Sequence, residues 1–197
     1  MKRLKKSFYL DSPQNVAKKL LGKNLCRKTD KGLMIGKIVE TEAYLSENDP
    51  ACHAYKKKTP RNFNMFEEGG ISYVYIIYGF YYCFNVVTGK KDKGEAVLIR
   101  ALEPISGIDI MKNYREVIKE KDLTNGPSKL CLAMNIDKSQ NGLDLINDES
   151  LFIIENENII ENDIVTTTRI GLTQGVDLPL RYYIRNNIYV SKIIKGL

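Results

Sequence analysis

Two acidic residues stand close together in the stretch Ile38-Val39-Glu40-Thr41-Glu42-Ala43-Tyr44. In an extended strand side chains alternate between faces, so Glu40, Glu42 and Tyr44 share one face, and Val39, Thr41 and Ala43 the other. If the apolar face packs on a core, the carboxylates line either solvent or a cleft. A carboxylate in a cleft is suited to taking a proton from water or a substrate. Arg100 is a second candidate, set in the apolar run Val97-Leu98-Ile99-Arg100-Ala101-Leu102. Arginine is rarely buried without a partner, and Glu40, Glu42 or Glu103 can supply one. Arg100 then serves either as half of a structural ion pair or to position a water or an anion. His53 is the single histidine of the chain. An isolated histidine is more often a structural hydrogen-bonder than a catalyst.

Tyrosine is abundant, with 12 residues, against 6 Phe and no Trp. Many fall in or beside Ile71-Ser72-Tyr73-Val74-Tyr75-Ile76-Ile77-Tyr78-Gly79. Tyr73, Tyr75 and Ile77 share one face of that strand; Val74, Ile76 and Tyr78 share the other. Tyr78-Gly79 falls at the chain reversal. An aromatic at an exposed hairpin tip has no core to join and suits a wedge that enters a base stack or a partner's pocket. Sheet packing accounts for Tyr73, Tyr81 and Tyr82.

The elements that must position these residues are legible in outline. The chain has 197 residues, a length that suggests one domain, 1–197, with a core of its own. Asp11-Ser12-Pro13 starts a helix whose stripe is Val16, Leu20 and Leu21, and Gly22 stops it. A strand near Asn24–Lys28 and another over Leu33–Leu45 form a hairpin about Asp30-Lys31-Gly32. A short helix is expected over Asp49–Tyr55, and another helix start at Thr59-Pro60-Arg61-Asn62. Strands are expected over Ile71–Ile77, Phe80–Val87 and Glu95–Leu102, and helices over Ile105–Lys119 and Lys129–Met134. Leu151–Glu155, Ile164–Ile170 and Leu180–Arg185 are short strand candidates. Hairpins outnumber βαβ crossovers, which points to an α+β fold rather than a parallel doubly wound sheet.

Composition excludes several chemistries. A single histidine rules out HExxH zinc proteases, three-His zinc sites and 2-His-1-carboxylate iron sites. The four cysteines (Cys26, Cys52, Cys83 and Cys131) form no CxxC pair, so zinc ribbons and thioredoxin-type motifs are absent. No apolar run reaches the roughly 20 residues of a membrane span, and no signal-length apolar stretch follows the basic N-terminus. The expectation is a reduced, cytoplasmic protein without a membrane association. The net charge of +6 favours anionic partners, but lysines on a solvated surface give the same value. The lysine-rich Gly89–Gly94 loop reads as a soluble turn.

Taken in order, Val39–Tyr44, His53, Thr59-Pro60-Arg61-Asn62, Tyr73–Gly79, Asn85, Arg100-Ala101-Leu102-Glu103-Pro104 and Asn125-Gly126-Pro127-Ser128-Lys129-Leu130-Cys131 resemble the alkyladenine (3-methyladenine) DNA glycosylase family. Arg169-Ile170-Gly171 and Leu180-Arg181-Tyr182-Tyr183 match its closing strands more loosely. The resemblance implies an α+β domain built on a curved antiparallel sheet, with flanking helices and a protruding β-hairpin. It implies that Glu42 is the general base for the attacking water and that Arg100 helps hold that water. Tyr44, His53 and Tyr75 are implied as aromatic walls around a flipped base. Asn85 is implied at the pocket edge and Tyr78 as the intercalating residue. Arg61 and Lys129 are candidate contacts to the DNA backbone. The implied partner is damaged double-stranded DNA, the reaction is hydrolysis to an abasic site, and neither metal nor organic cofactor is required. A monomer is expected. Two other readings stand beside this one. An inactive nucleic-acid-binding module leaves Glu42 unexplained, and a nuclease needs a carboxylate cluster around metal.

Overall fold

The computed structural model describes residues 1–192. Helices α1 (Lys6–Tyr9) and α2 (Pro13–Leu20) precede strands β1 (Asn24–Thr29) and β2 (Gly32–Tyr44). Strands β3 (Ser72–Ile77), β4 (Tyr81–Thr88) and β5 (Glu95–Ser106) follow, then helices α3 (Ile108–Tyr114) and α4 (Pro127–Ala133). Strands β6 (Leu151–Ile154), β7 (Ile164–Thr167) and β8 (Arg181–Ile184) complete the order. The strands join one curled, wholly antiparallel sheet in the order β3-β4-β5-β2-β1-β6, with β8 added to β2 and β7 to β8. The α+β expectation holds.

Local chemistry accounts for most boundaries. The Ser12 hydroxyl accepts from the Asn15 amide at 3.3 Å and caps α2, and Pro13 occupies the first turn, where no amide hydrogen is needed. Gly22, at φ +83°, takes the left-handed turn beyond the helix. Strand β2 is central because it has partners on both edges. Glu40 to Glu42 pairs with β5 on one side and with β8 on the other. Thr41 turns to the opposite face and donates to the Ala17 carbonyl of α2 at 3.0 Å. The carboxylates are therefore enclosed on the far face of a two-edged strand rather than solvated, and Glu40 and Glu42 are both 0% exposed.

Three elements depart from the sequence reading. Residues 49–55 form turns, not a helix. Asp49 spends its carboxylate locally, accepting from the amides of Leu45 at 3.1 Å and Ala51 at 3.2 Å, which fixes an Asx turn in place of a helical start. The helix expected over Ile105–Lys119 is confined to Ile108–Tyr114. Pairing with β2 draws Pro104 and Ser106 into β5, and Gly107, at φ +71°, forms the corner between strand and helix. The helix start at Thr59–Asn62 leads only to a short 3-10 turn, Phe63–Phe66.

Candidate active site

A cleft of about 460 Å³ opens beside the β3–β4 hairpin. Tyr44, His53, Tyr75 and Asn85 all line it, and Arg61 and Tyr78 stand along it. The structure thus brings together residues from β2, the 45–71 connection and both hairpin strands. His53 and Tyr75 meet edge to face, with centroids 4.6 Å apart. Tyr73, which sheet packing seemed to explain, also lines the cleft. Its hydroxyl sits 3.0 Å from His53 Nδ1, and its ring lies 5.5 Å from that of Tyr75. The period-two alternation of Tyr73 with Tyr75 was the signal for this role. Asn85 is buried and donates to the Tyr73 carbonyl at 2.9 Å, so its amide is fixed against the cleft wall.

Glu42 and Arg100 are buried and do not line the cleft; Glu42 is joined to it through Tyr44. Its Oε2 accepts from the Tyr44 hydroxyl at 2.9 Å. Its Oε1 accepts from the Ile170 amide at 2.9 Å and stands 3.2 Å from Arg100 Nη1. Among the described residues no second donor meets Oε2, which leaves a lone pair for a water. Burial raises the Tyr44 hydroxyl's pKa, and the Glu42 charge raises it further, so the phenol stays a proton donor to the carboxylate.

Arg100 takes Glu40 and Glu42 together, not Glu103. Its Nε donates to Glu40 at 3.2 Å while Nη1 faces Glu42. Burial lowers the Arg100 pKa, but Glu42 and then Glu40 outweigh it, and the net shift is upward. The guanidinium stays charged. Glu40 is saturated by comparison. Arg181 Nε reaches its Oε1 at 2.6 Å, and the hydroxyl and amide of Ser191 close at 2.9 and 2.7 Å. Glu40 is an anchor, and Glu42 is the carboxylate bonded to the cleft-lining Tyr44.

His53 has a lowered pKa, through burial against the wall and then the nearby Arg61 charge, and is neutral at physiological pH. Arg61 donates to the Ile76 carbonyl at 2.9 Å, tying the Thr59–Asn62 segment to the hairpin. Lys129 is away from the cleft lining and donates to Asn125 Oδ1 at 2.7 Å. Tyr78 is 78% exposed at the hairpin tip, with φ +53°, and Gly79 follows at φ +81°. Among the described residues no group of three His, Cys, Asp or Glu side chains is placed to hold a metal ion.

Sequence reasoning did not assign Asp49, Arg169, Ile170, Arg181 or Ser191 to the site. Arg169 forms a double hydrogen bond with Asp49, at 2.5 and 2.6 Å, and its guanidinium lies 4.6 Å from the centroid of the Tyr44 ring.

The site is an aromatic cleft with a buried, donor-held carboxylate behind one of its walls. Residues 7–188 match the family model for methylpurine-DNA glycosylase. A Carboxydothermus hydrogenoformans protein provisionally named 3-methyladenine DNA glycosylase is 53% identical over 96% of this chain and 98% of its own length. Proteins given the same provisional name in Francisella tularensis and Clostridium botulinum are 52% and 48% identical, over 90% and 96% of this chain and 93% and 98% of their own lengths. The chain belongs to the methylpurine-DNA glycosylase family, whose members are DNA repair enzymes acting on DNA. Among the described residues no helix is long and apolar enough to cross a membrane.

Proposed function

We propose that this protein extrudes alkylated purines, such as 3-methyladenine and 7-methylguanine, from duplex DNA and hydrolyses their N-glycosidic bond, leaving an abasic site. A base within the stack cannot present that bond to an enzyme and must be flipped out. The observation that carries the reading is Glu42, held by three donors, one of them Tyr44 of a cleft lined also by His53, Tyr73 and Tyr75. Stacking on such walls contributes roughly 1–3 kcal/mol per base, and electron-rich faces attract a cationic purine by about 0.5–2 kcal/mol. Tyr78 enters the duplex and fills the gap left by the extruded nucleotide. Asn85 stands where it obstructs the exocyclic amine of normal guanine. Arg61 and Lys129 contact the DNA backbone.

Glu42 takes a proton from water as the water oxygen bonds to the sugar C1′. The C1′–N bond breaks, its electron pair goes to the purine, and the cationic base leaves neutral. Because the charged purine is already a good leaving group, one carboxylate suffices where glycosidases ordinarily use two. Arg100 holds the Glu42 carboxylate in place and orients the water. The product is an abasic site in an unbroken strand, with water rather than a lysine as the nucleophile. The protein acts as a monomer. A duplex carrying one 7-methylguanine, incubated with the protein in EDTA, tests this. Free 7-methylguanine and an intact strand are expected. No base release from any alkylated duplex would return the protein to the class of binding modules.

A further inference from the structure

We infer that Arg169, locked to Asp49, is a positioning residue that sets the Tyr44 wall and the backbone hydrogen bond to Glu42. The inference rests on Glu42 being the base. Arg169 and Asp49 have fully buried side chains, and Arg169 is absent from the cleft lining while Tyr44, Gly171 and Leu172 are part of it. The guanidinium therefore stands behind the wall. Besides Asp49 it donates to the Ala43 carbonyl at 3.0 Å. Asp49 itself holds the amides of Leu45 and Ala51. One ion pair thus joins the end of β2, the loop leading to His53, and the segment after β7. The next residue along that segment, Ile170, donates its amide to Glu42.

Two consequences follow for the chemistry. A cation against the Tyr44 ring polarises the phenol and strengthens its donation to Glu42. Its charge is cancelled by Asp49, so the cleft presents no extra positive charge to a cationic purine. A lysine cannot reproduce this, because the bidentate fork and the planar stack both belong to guanidinium. Loosening the pair lets the Ile170 amide and the Tyr44 hydroxyl drift from Glu42.

The test is single-turnover release of 7-methylguanine by Arg169→Lys and by the milder Asp49→Asn, with rates expressed per folded molecule from circular dichroism. At saturating enzyme the rate is expected to fall about tenfold or more, since small misplacements of reacting groups are costly. Duplex affinity should stay within about twofold, because the pair does not line the cleft. A purely structural role lowers only the folded fraction; a wild-type rate per folded molecule overturns the inference. Glu42→Gln is run alongside. If Glu42→Gln is inactive while both variants keep the wild-type rate per folded molecule, only this inference fails. If Glu42→Gln still releases base, the assignment of Glu42 fails and the inference with it.

Discussion

Glu42 and Glu40 show how identical side chains two residues apart come to differ. Both are buried on one face of β2, but Glu40 is met by Arg100, Arg181 and Ser191, while Glu42 keeps an acceptor site free under the Tyr44 wall. His53 offers a second residue-scale test. Its folded pKa lies below the ordinary value, near 6.5 in the unfolded chain. The unfolded state therefore binds the proton more readily, and stability rises with pH through the window between the two values. The contribution is complete above about pH 6.5 and is lost as pH falls toward the folded pKa. As the only histidine, His53 gives one set of imidazole signals by NMR. A titration midpoint below about 6.5 is expected, and a midpoint at or above it contradicts the placement against the wall. The sequence showed Glu42, Tyr44, His53, Tyr75 and Asn85 because strand alternation and ordered motifs are local. It hid Asp49–Arg169, Arg181 and Ser191, whose bonds span 120, 141 and 151 residues. Topology alone brings those partners together.

At the scale of elements, the β3–β4 hairpin holds an aromatic in a costly conformation. Left-handed backbone costs a residue with a Cβ roughly 1–2 kcal/mol, and Tyr78 adopts it while exposing its ring. Strain of this kind concentrates where function needs a side chain aimed outward. Tyr78→Gly removes the strain and the ring together. Thermal stability should hold or rise, while affinity for a lesion duplex falls by about tenfold, in line with the loss of one stacking contact. Unchanged lesion affinity would refute the wedge. Helix α2 and the β1–β2 hairpin were readable because caps and turn glycines act over a few residues. The failed helix at 49–55 was not, because Asp49 holds the Leu45 and Ala51 amides in a turn that is pinned by Arg169 from 120 residues away. Helix α3 was overextended for a similar reason, since β2 recruits the residues before it.

Across the whole molecule, the sheet both carries the core and carries the site. Phe84 of β4 is fully buried in the main apolar cluster, on the strand that also bears Asn85. Phe84→Ala should cost about 3–5 kcal/mol of unfolding free energy, measured in urea; a loss under about 1 kcal/mol would contradict that packing. The net charge of +6 says little alone, but it becomes testable through Arg61, exposed beside the cleft. Each neutralised phosphate contributes about 0.9 to the slope of log affinity against log salt. Arg61→Ala is expected to reduce that slope by about one, and an unchanged slope would remove Arg61 from the backbone contacts.

The proposed reaction turns on Glu42 activating the water that cleaves the glycosidic bond. Single-turnover release of 7-methylguanine by Glu42→Gln tests it most directly, with duplex binding measured on the same preparation. General-base removal predicts a fall of about 10²–10⁴-fold with binding retained. Release at the wild-type rate by a folded, DNA-binding Glu42→Gln protein would contradict the account.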